Sequence, residues 1–533
     1  MKKRNIAAMI LAVFLMVILL MLAFTTGSNG FLESVAGVNG AINNVVWTAM
    51  LFGILGVGFL VCCGTGWFQF RYWQHWWKES IGSIFSKKEV RKSEDEQSIS
   101  QFQSLCTALS ATVGTGNIVG VATAIVLGGP GAIFWMWLAA ILGLMTNYSE
   151  NVLGIYYRRR NKDGEWSGGA MYYLHDGLGG KKGCKTLGRV LAGFFSVFAI
   201  LASFGIGNLS QVNGITDNVE TTLNQFGVQS TTIFGLDSIR LIVGIILAVA
   251  CAFVIVGGLN RIASVTEKLV PFMAIFYIIG SLILIFYDGS LIGPAFVSIF
   301  KFAFTGKAVA GGTLGTVIRW GLKRGVFSNE AGLGSSVMVH SNSNAKEPVT
   351  QGIWGIFEVF ADTLIICTLT AMAILTSGLV DLETGKMVDE TISATSLTSL
   401  CFADVFGKAG SIFVTLALIM FAFSTVLGWS HYGKKSWEYM FGEESTLLYR
   451  VIFIVCIFLG AQMTSSLAWD ISDTFNGLMA LPNLIGVVSC SGTVFAITKN
   501  YEKRTFKGEK IRPMLSAIPE IQEAQEAGYE FKE

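Results

Sequence analysis

Apolar runs recur from one end of the chain to the other. The first is Ile6–Phe24; others lie at about 43–66, 104–127, 129–153, 189–213, 239–257, 268–287, 308–327, 350–376, 409–432, 447–463 and 472–498. About 20 apolar residues suffice for a membrane-crossing helix. The pattern therefore predicts twelve spans, or eleven if the first run is a cleaved signal peptide. Lys2, Lys3 and Arg4 supply the basic flank of a signal peptide, yet no A-x-A site follows and the apolar core has full span length, which favours an uncleaved helix. The polar stretches between runs, roughly 71–103, 157–188, 328–350 and 499–533, have the size of loops and a tail. The expected fold is an all-α polytopic membrane protein.

One run breaks its own pattern. The stretch 102–137 is apolar, but its middle reads Val113-Gly114-Thr115-Gly116-Asn117. Glycine and asparagine are poor helix formers. Irregular backbone at membrane depth survives only where it is buried in protein or lines a cavity. Counting the span at 104 as core helix one, the sixth, 308–327, carries Gly311-Gly312-Thr313 and Gly315. Two glycine breaks five helices apart, in halves of opposite direction, are the signature of an inverted-repeat transporter with its site at the breaks. The competing reading is that glycine is common in membrane helices because it permits close packing.

Composition agrees. Charged residues make up 14% and apolar ones 52% of the 533 residues, and the mean hydropathy is +0.58. A soluble chain carries about 25% charge. The net charge of +2 points to no partner, but its distribution is informative. With the N-terminus cytoplasmic, 33 of the 38 Lys and Arg fall on inside segments, and the outer loops carry acids such as Asp217, Glu220, Asp381, Glu383, Asp389 and Glu390. That is the positive-inside rule at every alternation. It places the C-terminus in the cytoplasm. The nine cysteines lie mostly in apolar runs without CxxC spacing, and the four histidines are scattered. No phosphate loop, nucleophile elbow or zinc-protease motif is present, so an enzyme, an ATP-driven pump and a nucleic-acid partner are not expected.

A broken helix one offers two kinds of group. Its outer half would begin near Gly116, with free N–H groups on Gly116, Asn117 and Ile118 that suit a carboxylate. Its inner half would end near Ser110–Val113, with free carbonyls that suit a hard cation such as Na⁺. Core helix eight holds Ser424 and Thr425 in an apolar run, where their hydroxyls either complete a cation shell or bond back to the preceding turn. Trp429, one turn on, either walls a pocket or packs. Asn208 and Gln211 in core helix three are three apart and share a helical face, as ligand groups or as helix-to-helix glue. Glu358 and Asp362 form an acidic pair at i, i+4. They either carry a proton or cation, or are structural partners of Arg319 or Lys323. Asn329 and Glu330 in FSNEAGLGSS (327–336) suit gating or anchoring.

These stretches carry a resemblance. TGWFQFR (65–71), ALSATVGTGNIVGVATAIVLGGPGAIFWMW (108–137), GGAMYYL (168–174), LASFGIGNLSQ (201–211), GGLNRIASVTEKLVPFMA (257–274), RGVFSNEAGLGS (324–335), EVFADTLIICTLTA (358–371) and FSTVLGWSHYG (423–433) resemble the alanine or glycine:cation symporter family, sodium:alanine symporters of the amino acid–polyamine–organocation superfamily. The resemblance runs from about Val46 to Thr498. It implies a leucine-transporter-type 5+5 inverted repeat with one or two extra N-terminal helices. The parts would be a hydrophobic helix at 1–25, a peripheral helix and cytoplasmic loop at 26–103, five-helix repeats at 104–290 and 291–498, and a cytoplasmic tail at 499–533. It implies Na⁺-coupled symport of alanine or glycine across the cell membrane by alternating access, with Na⁺ as coupling ion rather than prosthetic group. By the resemblance, Thr115 and Gly116 would meet the substrate carboxylate, with Gln211, Thr425 and Trp429 around the substrate; the reading of the residues adds Asn117, Asn208, Gly311 and Gly312 to the expected substrate site. Na⁺ would sit among Ser110, Val113, Ser424 and Thr425. The chain departs from the family pattern in having Ala170 for Pro, Ser110 for Ala, and a different stretch around Ser210 and Val212–Gly214. The alternatives are proton coupling through Glu358 or Asp362 and, from another class, a channel or sensor on the same scaffold.

Overall fold

The computed structural model describes residues 29–527, apart from 234–235, 306–313, 390 and 464. The N-terminal run Ile6–Phe24 and the expected glycine break at Gly311-Gly312-Thr313 lie outside the described residues.

The helices used below are numbered in chain order. They are α1 Asn29–Gly64, α2 Gln101–Thr112, α3 Val121–Gly128, α4 Ala132–Tyr157, α5 Lys185–Phe204, α6 Ser210–Gln225, α7 Ser238–Ile255 and α8 Gly258–Tyr287. There follow α9 Ile292–Phe304, α10 Leu314–Asn329, α11 Val337–His340, α12 Pro348–Val359, α13 Thr368–Leu375 and α14 Ala394–Phe406. The last are α15 Lys408–Phe441, α16 Thr446–Gln462, α17 Ser465–Lys507 and α18 Pro519–Glu526. Two-residue antiparallel strand pairs, 159–160 with 166–167 and 232–233 with 236–237, are the only ladders among the described residues.

Nine helices among the described residues are long and apolar enough to cross a membrane; a tenth span forms if α2 and α3, bent by 51°, count as one. The predicted spans are recovered with two qualifications. The described part of the 308–327 run is α10, 16 residues that reach Asn329. The stretch expected as a long outer loop between 376 and 409 contains the apolar helix α14. Its Ser393 side chain caps the Ser396 N–H, a start signal that lies among polar residues and is easily read as loop.

Three spans carry wide π turns: Gly116–Gly120 before α3, Gly205–Leu209 between α5 and α6, and Phe360–Cys367 between α12 and α13. Such turns cluster at functional sites. Beside the first of them α2 lies against α8 and α15, while α10 lies against α3 and the Gly116–Gly120 turn. Close approach of α15 to α2 depends on Gly428, where a Cβ would lie 2.8 Å from the Ala111 Cβ.

The end of the bundle with the basic loops is tightly tied. Ser100 and Gln103 form a capping box at the start of α2. Just before it, the Ile99 N–H donates to the Asn342 carbonyl at 3.1 Å, and the Asn344 N–H donates to the Ile99 carbonyl at 2.9 Å. The buried Arg158 guanidinium donates to the carbonyls of Ser341, Ser343 and Ala345 at 3.1, 2.7 and 2.5 Å and stacks on Trp166. The tail folds back on the same end, with the Ala517 N–H on the Tyr156 carbonyl and Arg504 on Glu347. Nearby, burial raises the Asp95 carboxyl, but the Arg160 guanidinium at 2.6 Å and the Gln97 N–H outweigh it and hold the group below the usual carboxylate range.

Candidate functional site

Helix α2 ends where Val113 turns extended, at φ −80° and ψ 91°. Its own N–H still reaches the Leu109 carbonyl at 2.8 Å. The residues after it cannot continue the ladder, so side chains take over. The Gly114 N–H donates to Asn117 Oδ1 at 2.9 Å, and the Thr115 N–H donates to Gln211 Oε1 at 3.1 Å. Gln211 is held in turn, its Nε2 donating to the Ile206 carbonyl at 2.9 Å. The break is real, and its capped donors are Gly114 and Thr115. The expectation of a free N–H on Asn117 is corrected, because that group donates to the Gly114 carbonyl at 3.2 Å within the tight turn.

Asn117 differs from the expectation in a second way. Its Nδ2 donates to Asp362 Oδ1 at 2.6 Å and to Cys367 Sγ at 3.3 Å. Both ends of its amide therefore brace the break against the π turn of α12–α13. Asp362 also accepts from Ser328 and Thr363, each at 2.8 Å. Glu358 lies one helical turn away but has other partners, Asn147 at 2.9 Å and His340 at 3.0 Å. Neither acid pairs with Arg319 or Lys323: Arg319 reaches Asn44, and Lys323 pairs with Asp473 at 2.6 Å.

Asn208 and Gln211 part company. The π turn Gly205–Leu209 breaks the 3.6-residue register between them. Gln211 reaches the α2 break, while Asn208 Nδ2 donates to the Phe453 carbonyl of α16 at 2.8 Å. Asn208 thus serves as helix-to-helix glue in this conformation.

Two hydroxyl–carbonyl pairs link α15 to the inner side of the break. Ser424 Oγ lies 3.3 Å from the Ser110 carbonyl oxygen, and Thr425 Oγ1 lies 3.4 Å from that of Val113. Each hydroxyl has a shorter bond to the Phe421 carbonyl, at 2.8 and 3.0 Å. The two readings of this pair therefore coexist. A hydroxyl that donates back into its own helix presents its lone pairs to the α2 carbonyls. Neutral oxygens paired in this way are the ligand type that a hard monovalent cation takes.

Trp429 lies against the α5–α6 turn, where a Cβ on Gly207 would fall 2.3 Å from the Trp429 Cβ. Its Nε1 donates to Glu330 Oε1 at 2.8 Å. Glu330 has φ 57°, unusual for a residue with a side chain, and its second oxygen accepts from Ser335 at 2.5 Å. Asn329 is an anchor too, donating to Thr363 Oγ1 at 3.0 Å. Gly116 faces Phe327, whose ring carbon would be 3.3 Å from an added Cβ, so the end of α10 crosses the break directly. Gly311 and Gly312 are outside the described residues. Ser110, Val113, Thr115, Gln211, Thr425 and Trp429 are all buried, and Thr115 Oγ1 has no partner. These side chains are shielded from solvent.

Comparison with known proteins gives the family. The profile described as "Sodium:alanine symporter family" matches residues 32–515. The chain belongs to the sodium:alanine symporter family. The sodium/alanine symporter AgcS of Methanococcus maripaludis is 42% identical over 87% of this chain and 96% of its own. An uncharacterized transporter of Haemophilus influenzae is 39% identical over 88% and 97%. Among solved structures, the crystal structure of MhsT in complex with L-phenylalanine superposes with a TM-score of 0.50 at 14% identity, covering 76% of this chain and 99% of that one. This likeness places the chain in the leucine-transporter-type fold. As a member of a family of symporters, the chain is a multi-pass membrane transporter and not an enzyme.

Proposed function

We propose that this family member moves alanine or glycine into the cell with Na⁺, through the site at the α2–α3 break. The observation that carries this reading is the pairing of the Ser110 and Val113 carbonyls with the Ser424 and Thr425 hydroxyls at 3.3 and 3.4 Å. These four groups would hold the ion, which supplies positive charge beside the substrate carboxylate. The Thr115 N–H, capped here by Gln211, is the donor offered to that carboxylate. Exchange of one acceptor for the other releases the Gln211 amide to the substrate's polar groups. Trp429, pressed against Gly207, would wall the substrate space. Gly116 and Asn117 shape the turn, with Asn117 bracing it against Asp362, and Asn208 secures α16. The repeats 104–290 and 291–498 would rock about this point, with the basic loops and the tail in the cytoplasm.

The energetics suit accumulation. A tenfold Na⁺ gradient provides about 1.4 kcal/mol and 100 mV about 2.3 kcal/mol per charge, enough for a gradient of several hundred-fold at one Na⁺ per substrate. The test is uptake of labelled alanine by the reconstituted protein with and without Na⁺. Ser424→Ala and Thr425→Val are each expected to raise the Na⁺ concentration for half-maximal uptake at least about tenfold, equivalent to one lost oxygen ligand. Uptake indifferent to Na⁺ overturns the reading. Uptake driven by a pH gradient without Na⁺, and lost in Asp362→Asn, would establish proton coupling instead. Failure to accumulate substrate against a gradient would indicate a channel.

A further inference from the structure

Away from the transport site, α8 and α15 diverge and leave a groove of about 560 Å³ on the outside of the bundle. Its walls are Val265, Leu269 and Phe272 from α8 and Ile419, Met420 and Phe423 from α15. Towards the outer end the helices close again, where the rings of Phe276 and Phe413 stack at 4.6 Å. Towards the basic end the groove is polar, with Ser264 and the exposed Lys268. Apolar walls leading to one ammonium and one hydroxyl match a lipid: hydrocarbon along the helices and an anionic headgroup at the interface.

We propose that this groove is a binding site for one anionic phospholipid of the leaflet at the basic end, with an acyl chain between α8 and α15 and its phosphate on Lys268 and Ser264. That this leaflet is the cytoplasmic one rests on the orientation read from the loop charges. The choice of an anionic rather than zwitterionic lipid follows from Lys268, a point charge with three donors, and from the negative surface of the cytoplasmic leaflet. The position ties the lipid to transport. Phe272 and Phe423 precede Met273 and Ser424 in sequence, and those two touch on the inner side, Ser424 Oγ to Met273 Sδ at 3.5 Å. The same stretch of α8 reaches the inner half of the broken helix through Thr266, whose Oγ1 is 3.0 Å from that of Thr107. A chain lodged in the groove therefore sets the spacing between α8 and α15, the helix that presents the ion-site hydroxyls.

The test uses the full-length purified protein, with native mass spectrometry of the species retained from phosphatidylglycerol or from phosphatidylcholine of the same chains. One phosphatidylglycerol is expected to be held in preference. Lys268→Ala should weaken that preference about five-fold and Lys268→Arg should keep it, as one surface cation predicts. Leu269→Trp should fill the groove and displace the bound lipid. Lys408→Ala, on the far end of α15, is the control and should change nothing. In vesicles, adding phosphatidylglycerol to phosphatidylcholine should shift the Na⁺ concentration for half-maximal uptake in the wild type but not in Leu269→Trp. Equal retention of both lipids by the wild type, equal preference in wild type and Lys268→Ala, or a bound lipid that survives Leu269→Trp each overturns the proposal. Lipid retention requires no transport, so a failure of Na⁺ coupling would leave that readout untouched.

Discussion

Gly114→Ala is expected to abolish transport while leaving the protein folded. A Cβ at this position would sit 2.5 Å from Thr425 Oγ1, 3.3 Å from Thr425 Cβ and 3.0 Å from Gln211 Oε1. Thr425 is short and β-branched, so it has no way to swing aside. Gln211 is held by the Ile206 carbonyl and by the Thr115 N–H. The added methyl must therefore push the break away from α15 and α6 together. That separates the Val113 carbonyl from Thr425 and withdraws the Thr115 N–H. Displacement of about 1 Å in a positioning site costs on the order of 100-fold, and overpacking costs about 1–3 kcal/mol of stability. The measurements are alanine counterflow at saturating Na⁺ and thermal unfolding in detergent. Thr425→Ala added to Gly114→Ala should restore the thermal midpoint but not Na⁺-dependent uptake, since it makes room by removing a proposed ligand. A Gly114→Ala protein that transports at the wild-type rate would refute the close approach.

The second large effect is expected at Arg158. This residue has no part in the transport site, yet it pins the 341–345 loop by three carbonyls. That loop pairs on both sides of Ile99, immediately before α2. Ser104, one turn into α2, donates to the Val339 carbonyl at 3.2 Å, and Trp354 Nε1 donates to Gln101 Oε1 at 3.0 Å. The inner half of the broken helix is thereby latched to the 337–345 segment and to α12, and Arg158 holds the first of these contacts. Arg158→Ala would leave three carbonyls without their charged donor, a loss of about 3–5 kcal/mol. A lysine offers one point charge in place of a planar fork, so Arg158→Lys should recover only part of this. Hydrogen exchange at Ile99 and Asn344 reads the latch directly and should rise strongly in Arg158→Ala, with a smaller rise in Arg158→Lys. Unchanged protection in both variants would show that the loop is held by other means.

Gly114 was legible as part of a break because two glycines, a threonine and an asparagine in an apolar run conflict with a continuous helix. Arg158 was not, since it looks like any other basic loop residue until its acceptors, more than 180 positions later, are known. Ser424 and Thr425 were legible as a hydroxyl pair but not as the partners of particular carbonyls. Asn208 and Gln211 looked equivalent under a 3.6-residue repeat. The π turn between them has no sequence signature beyond its glycines, and it sent their side chains to different helices. Glu330 was visible as an acid in a small-residue loop, but its positive φ and its bond to Trp429 were not.

What the sequence by itself determined is the part that depends on near neighbours: the spans, the charge asymmetry of the loops, the break after Val113, and the hydroxyls in α15. Each follows from local hydropathy, backbone propensity or electrostatics against the membrane. What only the tertiary structure decided is which groups complete the site. Thr115 finds Gln211 across 96 residues, and Asn117 finds Asp362 across 245. Thr425 finds Val113 across 312. In a low-dielectric interior every polar atom seeks a partner. Which partner it finds depends on how the helices cross, and that in turn depends on close approaches and wide turns set by packing.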